Sequence, residues 1–244
     1  MMLRRSSIAT VLVALLTFSS TASAADDIDL SNFPAVQKEF DDLSRQISLA
    51  ISYTPLAPAA PLGLLGFDIG VEVTAVRIDA EEDFWIKAVG KKPPGYLVFP
   101  KVHAQKGLPL GFDVGLTYAK PPGTNIGFIG GELKWAVLKG SLVTPAVAIR
   151  GDYTKLVGVD DIDMSVYGAD ISISKGFAFA TPYAGIGQVW ISSEEKAGLN
   201  LEKASLSETK GFLGVKFSLF VISFVAEAGF SKVPSYSGRL NVSF

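Results

Sequence analysis

The chain contains no cysteine. That excludes disulfides, thiolate metal sites and a lipid-bearing N-terminal cysteine. Histidine is nearly absent as well: His103 is the single one, so a metal centre would have to be built from carboxylates alone. No Gly-x-Ser-x-Gly elbow occurs to present a nucleophilic serine. A charge excess of one sign is also lacking. With 22 basic and 24 acidic residues the net charge is −2, which argues against a nucleic-acid partner. The last absence is a long apolar run. Beyond the opening segment the longest is Leu219–Ala226, relieved only by Ser223, far short of the ~20 residues of a helical span.

What remains is nevertheless apolar: 48% hydrophobic residues, with 24 glycines and 16 phenylalanines. A greasy chain without greasy helices implies alternating strands. Alternation is cleanest in five places. Leu65, Phe67, Ile69, Val71 and Val73 interleave with smaller or charged residues, as do Leu110, Phe112, Val114, Leu116 and Tyr118. Val147, Ile149 and Tyr153 alternate with Ala148, Arg150 and Asp152; Ile222–Phe230 and Tyr236–Phe244 complete the set. Weaker candidates are 96–106, 125–139, 163–175, 179–192 and 207–219. Ten strands result. Tight turns near 106–109, 139–141, 175–177 and Phe220 alternate with longer polar loops at 79–95, 120–124, 154–162, 193–206 and 232–235.

The ends of the chain give an address. Arg4 and Arg5, the apolar stretch Ile8–Phe18 and the small residues Ala22-Ser23-Ala24 have the layout of a secretory signal peptide over 1–24, cleaved after Ala24. At the other end, Tyr236, Leu240, Val242 and Phe244 share one strand face and Ser237, Arg239, Asn241 and Ser243 the other. This pattern, ending on an aromatic residue, resembles the closing strand of bacterial outer-membrane β-barrels. In those proteins the terminal residues are an assembly signal read by the barrel-assembly machinery. The resemblance implies a transmembrane antiparallel up-and-down barrel at 62–244, in the outer membrane of a Gram-negative cell. Its surroundings would be outer-membrane lipid and lipopolysaccharide. A soluble barrel would have the same period with its faces exchanged. Tyr118, Trp135, Tyr153, Trp190, Phe220, Phe230 and Tyr236, near strand ends, favour the membrane form, where aromatic girdles belong.

Between signal and barrel, Phe33, Val36, Phe40, Leu43, Ile47 and Ala50 recur at helical spacing. The reading is an amphipathic helix over roughly 33–50, capped by Ser31 or Asn32 with Pro34 in its first turn, and then a Pro-rich linker to Pro61. Residues 46–53 also alternate, so an eleventh strand is the competing assignment. The helix is either a plug of the lumen or a helix on the barrel rim.

If the apolar face meets lipid, parity puts Asp68, Glu72, Asp113, Glu132, Asp170 and Glu227 in the lumen, with Lys101, His103, Lys134, Arg150, Lys210, Lys216 and Arg239. Balanced charges in a narrow barrel form a cross-lumen network, because unpaired buried charge is costly; the alternative is a narrow polar pore. Catalytic readings fare poorly. His103 lacks a recognisable triad, Asp160, Asp161 and Asp163 lack calcium-loop spacing, and Gly185-Ile-Gly187 reads as room for a bulky neighbour. The layout of small barrel plus N-terminal helix resembles the lipid A palmitoyltransferases, and the strand count the omptin proteases, but the active-site residues of neither are matched. Segments 62–70 and 103–115 resemble uncharacterised proteobacterial barrels. The sequence therefore points to a non-enzymatic barrel without cofactor or metal. A passive porin-like channel and an envelope-modifying enzyme are the alternatives.

Overall fold

The computed structural model describes residues 27–244; the expected signal peptide and its cleavage site lie outside them. Ten antiparallel strands close into one barrel: β1 (Phe67–Arg77), β2 (Tyr96–Gly107), β3 (Phe112–Ala119), β4 (Gly127–Leu138), β5 (Ala146–Val157), β6 (Ile162–Ser174), β7 (Ala180–Glu195), β8 (Ala204–Leu219), β9 (Ile222–Phe230) and β10 (Ser235–Ser243). Each strand pairs with its sequence neighbours, and β1 pairs with β10 in the register Glu72↔Arg239. Closure leaves no free sheet edge. At the seam the amide N–H of Phe67 donates to the Phe244 carbonyl and that of Phe244 to the Phe67 carbonyl, each at 3.0 Å. The two rings stack with centroids 6.0 Å apart.

The outer face carries a band of exposed Ile, Leu and Val, including Ile69, Leu116, Leu133, Ile149, Ile171, Ile186 and Leu213. Aromatic residues border it on both sides. Toward one end lie Phe67, Trp135, Phe217 and Phe244; toward the other lie Tyr96, Tyr118, Tyr153, Tyr167, Trp190, Phe230 and Tyr236. A greasy band between two aromatic girdles around a polar interior is the surface that a lipid bilayer stabilises. The protein is a transmembrane β-barrel.

Strands β5 to β8 continue beyond the second girdle, and there the faces exchange character. In β6, Asp170, Ser172 and Ser174 point inward and Tyr167, Ile171 and Ile173 outward. One turn of sequence earlier, Ile162, Met164 and Val166 are buried inside while Asp163 is exposed. In β7, Val189, Ile191 and the fully buried Ser193 face in, opposite Ser192 and Glu194. Above the bilayer the wall is thus built like a soluble barrel, with its core inside.

That core belongs to the N-terminal helix. Helix α1 (Gln37–Ile51) buries Phe40, Leu43, Ile47 and Ile51 against Met164, Val166, Val189, Ile191, Leu97, Phe99 and Phe128 of the inner wall. A short helix α2 (Asp83–Val89) in the 78–95 loop closes over it with Phe84 and Trp85. The Gln46 side-chain oxygen accepts from the Trp85 indole N–H (2.9 Å) and the Asp79 amide (3.1 Å). Residues 46–51 are helical, so no eleventh strand forms.

Three expectations need correction. Ser31 and Asn32 do not cap α1; its N-cap is Val36, without a side-chain cap bond, because residues 31–32 form a separate turn in which Asp29 Oδ1 accepts the Ser31 amide (2.8 Å). The loop expected at 154–162 shrinks to 158–161, since β5 and β6 pair as far as Lys155↔Ser165. At the turn end, 139–145 is longer than a tight turn, so long and short connections do not alternate strictly.

Candidate functional site

The lumen at bilayer depth is filled by the Pro-rich segment 52–62, the strap. Pro55, Pro58 and Pro61 deny it helical structure, so its backbone groups must find partners in the wall. They do, in descending order. Lys210 Nζ donates to Ser52 Oγ and to the Tyr53 carbonyl, both at 2.9 Å. Glu227 Oε2 accepts the Leu56 amide (3.0 Å), and Arg239 donates to the Leu56 carbonyl (2.6 Å). Lys134 Nζ donates to the carbonyls of Pro58 (3.0 Å) and Ala60 (3.2 Å). Ser174 Oγ accepts the Ala60 amide (3.3 Å), and Asp113 accepts the Leu62 amide (3.1 Å). From there the chain turns through 63–66 into β1. The N-terminal segment thus runs the length of the barrel, from the loop end to the turn end.

Every residue assigned to the lumen by parity faces inward. Asp68, Glu72, Lys101, His103, Asp113, Glu132, Lys134, Arg150, Glu227 and Arg239 are buried, while Asp170, Lys210 and Lys216 are partly covered. The charges pair across neighbouring strands, except that Lys216 of β8 reaches over β9 and β10 to Asp68 of β1. Lys101 meets Glu72 (2.7 Å), Lys134 meets Asp113 (3.0 Å), and Arg150 bridges Glu132 (3.0 Å) and Asp170 (3.3 Å). Lys216 (3.4 Å) and Arg239 (3.6 Å) converge on Asp68, and Arg239 lies 3.9 Å from Glu72. These contacts join the inward-facing charges into one set of ion pairs. Lys134, Lys210, Arg239, Asp113 and Glu227 have a second role, as partners of the strap backbone.

His103 sits within this network. Arg239, which can only donate, bonds its Nδ1, so the ring proton is on Nε2 and is directed at Tyr53 Oη, 2.7 Å away. The histidine is therefore fixed between strap and wall. The aspartates of the 160s do not converge: Asp161 accepts the Leu30 amide (2.8 Å), and Asp163 pairs with Lys155. Among the described residues no group of three or more His, Cys, Asp or Glu could hold a metal ion.

Parity alone missed several lumen residues. Asp152 shares the inward face of β5 with Arg150 and was within reach of the pattern; with Asp170, Lys210, Ser52 and Tyr53 it lines a cavity of about 20 Å³, room for roughly one water molecule. Tyr53 and Tyr183 were not legible. Tyr183 donates to Glu227 Oε2 (2.8 Å), and a tyrosine on a membrane strand reads first as a girdle residue. Of the glycine pair, Gly185 makes room for a bulky neighbour, since its Cβ would lie 2.3 Å from the ring of the buried Phe212, whereas a Cβ on Gly187 would meet the Ala169 backbone carbonyl at 2.3 Å.

No family model matches the chain, and no curated protein matches it. Solved structures similar to it include the attachment invasion locus protein Ail of Yersinia pestis, in complex with the heparin analogue sucrose octasulfate. That match has 12% identity, 73% of this chain, 97% of that chain and a TM-score of 0.29. Neisserial surface protein A matches at 9% identity over 72% and 95% of the two chains, TM-score 0.29. The translocator domain of the autotransporter NalP from Neisseria meningitidis matches at 10% identity over 88% and 99%, TM-score 0.30.

Proposed function

We propose that this protein is a non-enzymatic barrel of the bacterial outer membrane whose lumen is sealed by its own N-terminal segment, serving structure or surface contact. One observation carries the reading. The strap is bonded to the lumen wall from Lys210 at its upper end to Asp113 at its lower end, and α1 packs as a hydrophobic stopper above it. The charged groups that parity assigns to the lumen are engaged with one another or with the strap, which supports a sealed lumen over a polar path for a solute. His103, the one residue suited to acid–base work near neutral pH, is bonded at both ring nitrogens. What is left to act is the outer surface. The implied surroundings are outer-membrane lipid and lipopolysaccharide, with the barrel-assembly machinery acting during insertion.

The test is conductance in a planar bilayer. The intact chain should pass no steady current, whereas a variant lacking residues 27–61 should conduct through the emptied, charged lumen. Large steady currents from the intact chain would overturn the sealed reading in favour of a passive channel for small polar solutes.

A further inference from the structure

The two ends of the barrel differ in chemistry as well as in loop length. Large apolar side chains stand exposed on every turn at the strap's exit end: Leu65, Leu110, Leu142, Phe177 and Phe220, one from each. Leu142 is 98% exposed and Phe220 fully so. At the opposite end, outside the strands, the exposed large apolar residues among those described are Val36 and Ile86. A turn in water has no use for such side chains. Two of them are also held in backbone conformations that favour glycine, Leu110 at φ 63° and Phe220 at φ 56°. The side chains have been kept where the backbone disfavours them.

Charge follows the same division. The turn end carries Lys106, Lys139 and Lys175, and among the described residues no acidic side chain faces outward beside them. Lys106 Nζ donates to the carbonyls of Leu64 and Gly66, and Lys175 Nζ to those of Ser141, Leu142 and Thr144. Neutral carbonyls hold these ammonium groups in place without cancelling their charge. The acids of the other end (Glu81, Glu82, Asp83, Asp160, Glu194) have no counterpart here.

We infer that the turn end is a docking surface for anionic phospholipid. Its apolar turns sink into the interfacial layer of one leaflet, and the three lysines meet lipid phosphates. The surface continues the lipid-facing band past the first aromatic girdle, so the barrel ends within the membrane on this side and projects from it on the other. Basic residues close to an anionic surface each raise affinity about fivefold. The inference rests on the membrane reading of the band.

The absence of native cysteine allows single-site labelling. Leu142→Cys and Phe220→Cys would each carry an environment-sensitive fluorophore in vesicles of phosphatidylcholine with or without phosphatidylglycerol; Ile171→Cys reports the band and Lys232→Cys the loop end. The expected result is that both turn labels are quenched by lipids brominated near the glycerol and shielded from aqueous iodide. Shielding should deepen with phosphatidylglycerol, and this deepening should vanish in K106Q/K139Q/K175Q. Turn labels as open to iodide as the Lys232 label, with the Ile171 label still quenched by lipid, would overturn this inference alone. An Ile171 label that lipid does not quench would overturn the membrane reading itself. Deepening that persists in K106Q/K139Q/K175Q would overturn the anionic-lipid assignment. Shielding that grows with protein concentration in detergent would mean instead that two copies meet end to end.

Discussion

Replacing Lys134 with methionine isolates what the lumen network contributes. Lys134 Nζ lies 3.0 Å from Asp113, both side chains are at most 1% exposed, and the same ammonium holds the carbonyls of Pro58 and Ala60. At an effective dielectric near 20 the gross attraction at 3 Å is about 5–6 kcal/mol. Desolvation offsets much of it in the intact pair. Lys134→Met, however, leaves Asp113 buried with little but the Leu62 amide for company, and breaking a buried pair in this way costs about 3–5 kcal/mol. Lys134→Met with Asp113→Asn removes both charges while keeping an acceptor for Leu62, so it should recover more than half of that loss. The measurement is guanidinium unfolding of the vesicle-inserted protein, followed by tryptophan fluorescence. Trp135 and Trp190 report the barrel, and the buried Trp85 reports the stopper. A single variant costing under ~1 kcal/mol, or a double variant costing the sum of the singles, would refute the idea that this pair is a dry, mutually dependent unit.

Four further outcomes follow from the same geometry. Gln46→Ala removes the acceptor shared by Trp85 and Asp79 and should cost ~1–3 kcal/mol, with a red shift of Trp85 emission and faster proteolysis in 78–95; unchanged emission would argue against a tethered loop. Gly185→Val drives a side chain into the Phe212 ring and should destabilise by ~1–3 kcal/mol, whereas Gly151→Ala, with nothing within 4 Å of its added Cβ, should cost less than ~1 kcal/mol. Deleting Phe244 removes both seam hydrogen bonds and the Phe67 stack, so the heat-modifiable folded band should fall more than after Leu142→Ser. Glu195 is pushed up by its burial, but amide bonds from Gly198 and Leu199 prevail and hold its carboxyl below the ordinary 4.5. Its contribution to the 196–203 loop is therefore present above that value and lost as pH falls below it, and the loop's proteolysis should rise only there.

Five strands were plain in the sequence and five were faint, and the structure gives the reason. The plain ones keep one polarity along their bilayer length, as in Ile69, Val71 and Val73 against Asp68 and Glu72. The faint ones, β6 and β7 above all, exchange their faces part-way, so Ile162, Met164 and Val166 sit on the parity of Asp170 and cancel its signal. Lumen charge was legible for the same reason that strands were, through parity. The strap was not. Thr54–Pro61 lacks any period, and its proline content read as a linker, yet its bare carbonyls are what Lys134, Lys210 and Arg239 bind. The helix was found by its spacing, but its true start was hidden because no capping side chain marks it.

A barrel with a segment of its own chain running through it carries a constraint on the order of its making. Ten hydrogen-bonded strands leave no lateral gap for residues 27–61, and an end-on passage would drag the apolar face of α1 through the charged lumen, so the seam between β1 and β10 is expected to close last, around a strap already in position. The groups that grip the strap come from both sides of that seam: Glu227 and Arg239 from the late strands, His103 and Lys134 from the early ones. The N-terminal segment is in that sense a mandrel, on which the two ends of the sheet are gathered before they meet. Pulse-labelling of single cysteines during refolding should find the strap shielded before or together with the seam; a seam that closes while the strap is still open to the label would refute this order. The path also fixes the polarity of the product. The first described residues emerge among the loops, on the far side of the membrane from the terminal Phe244.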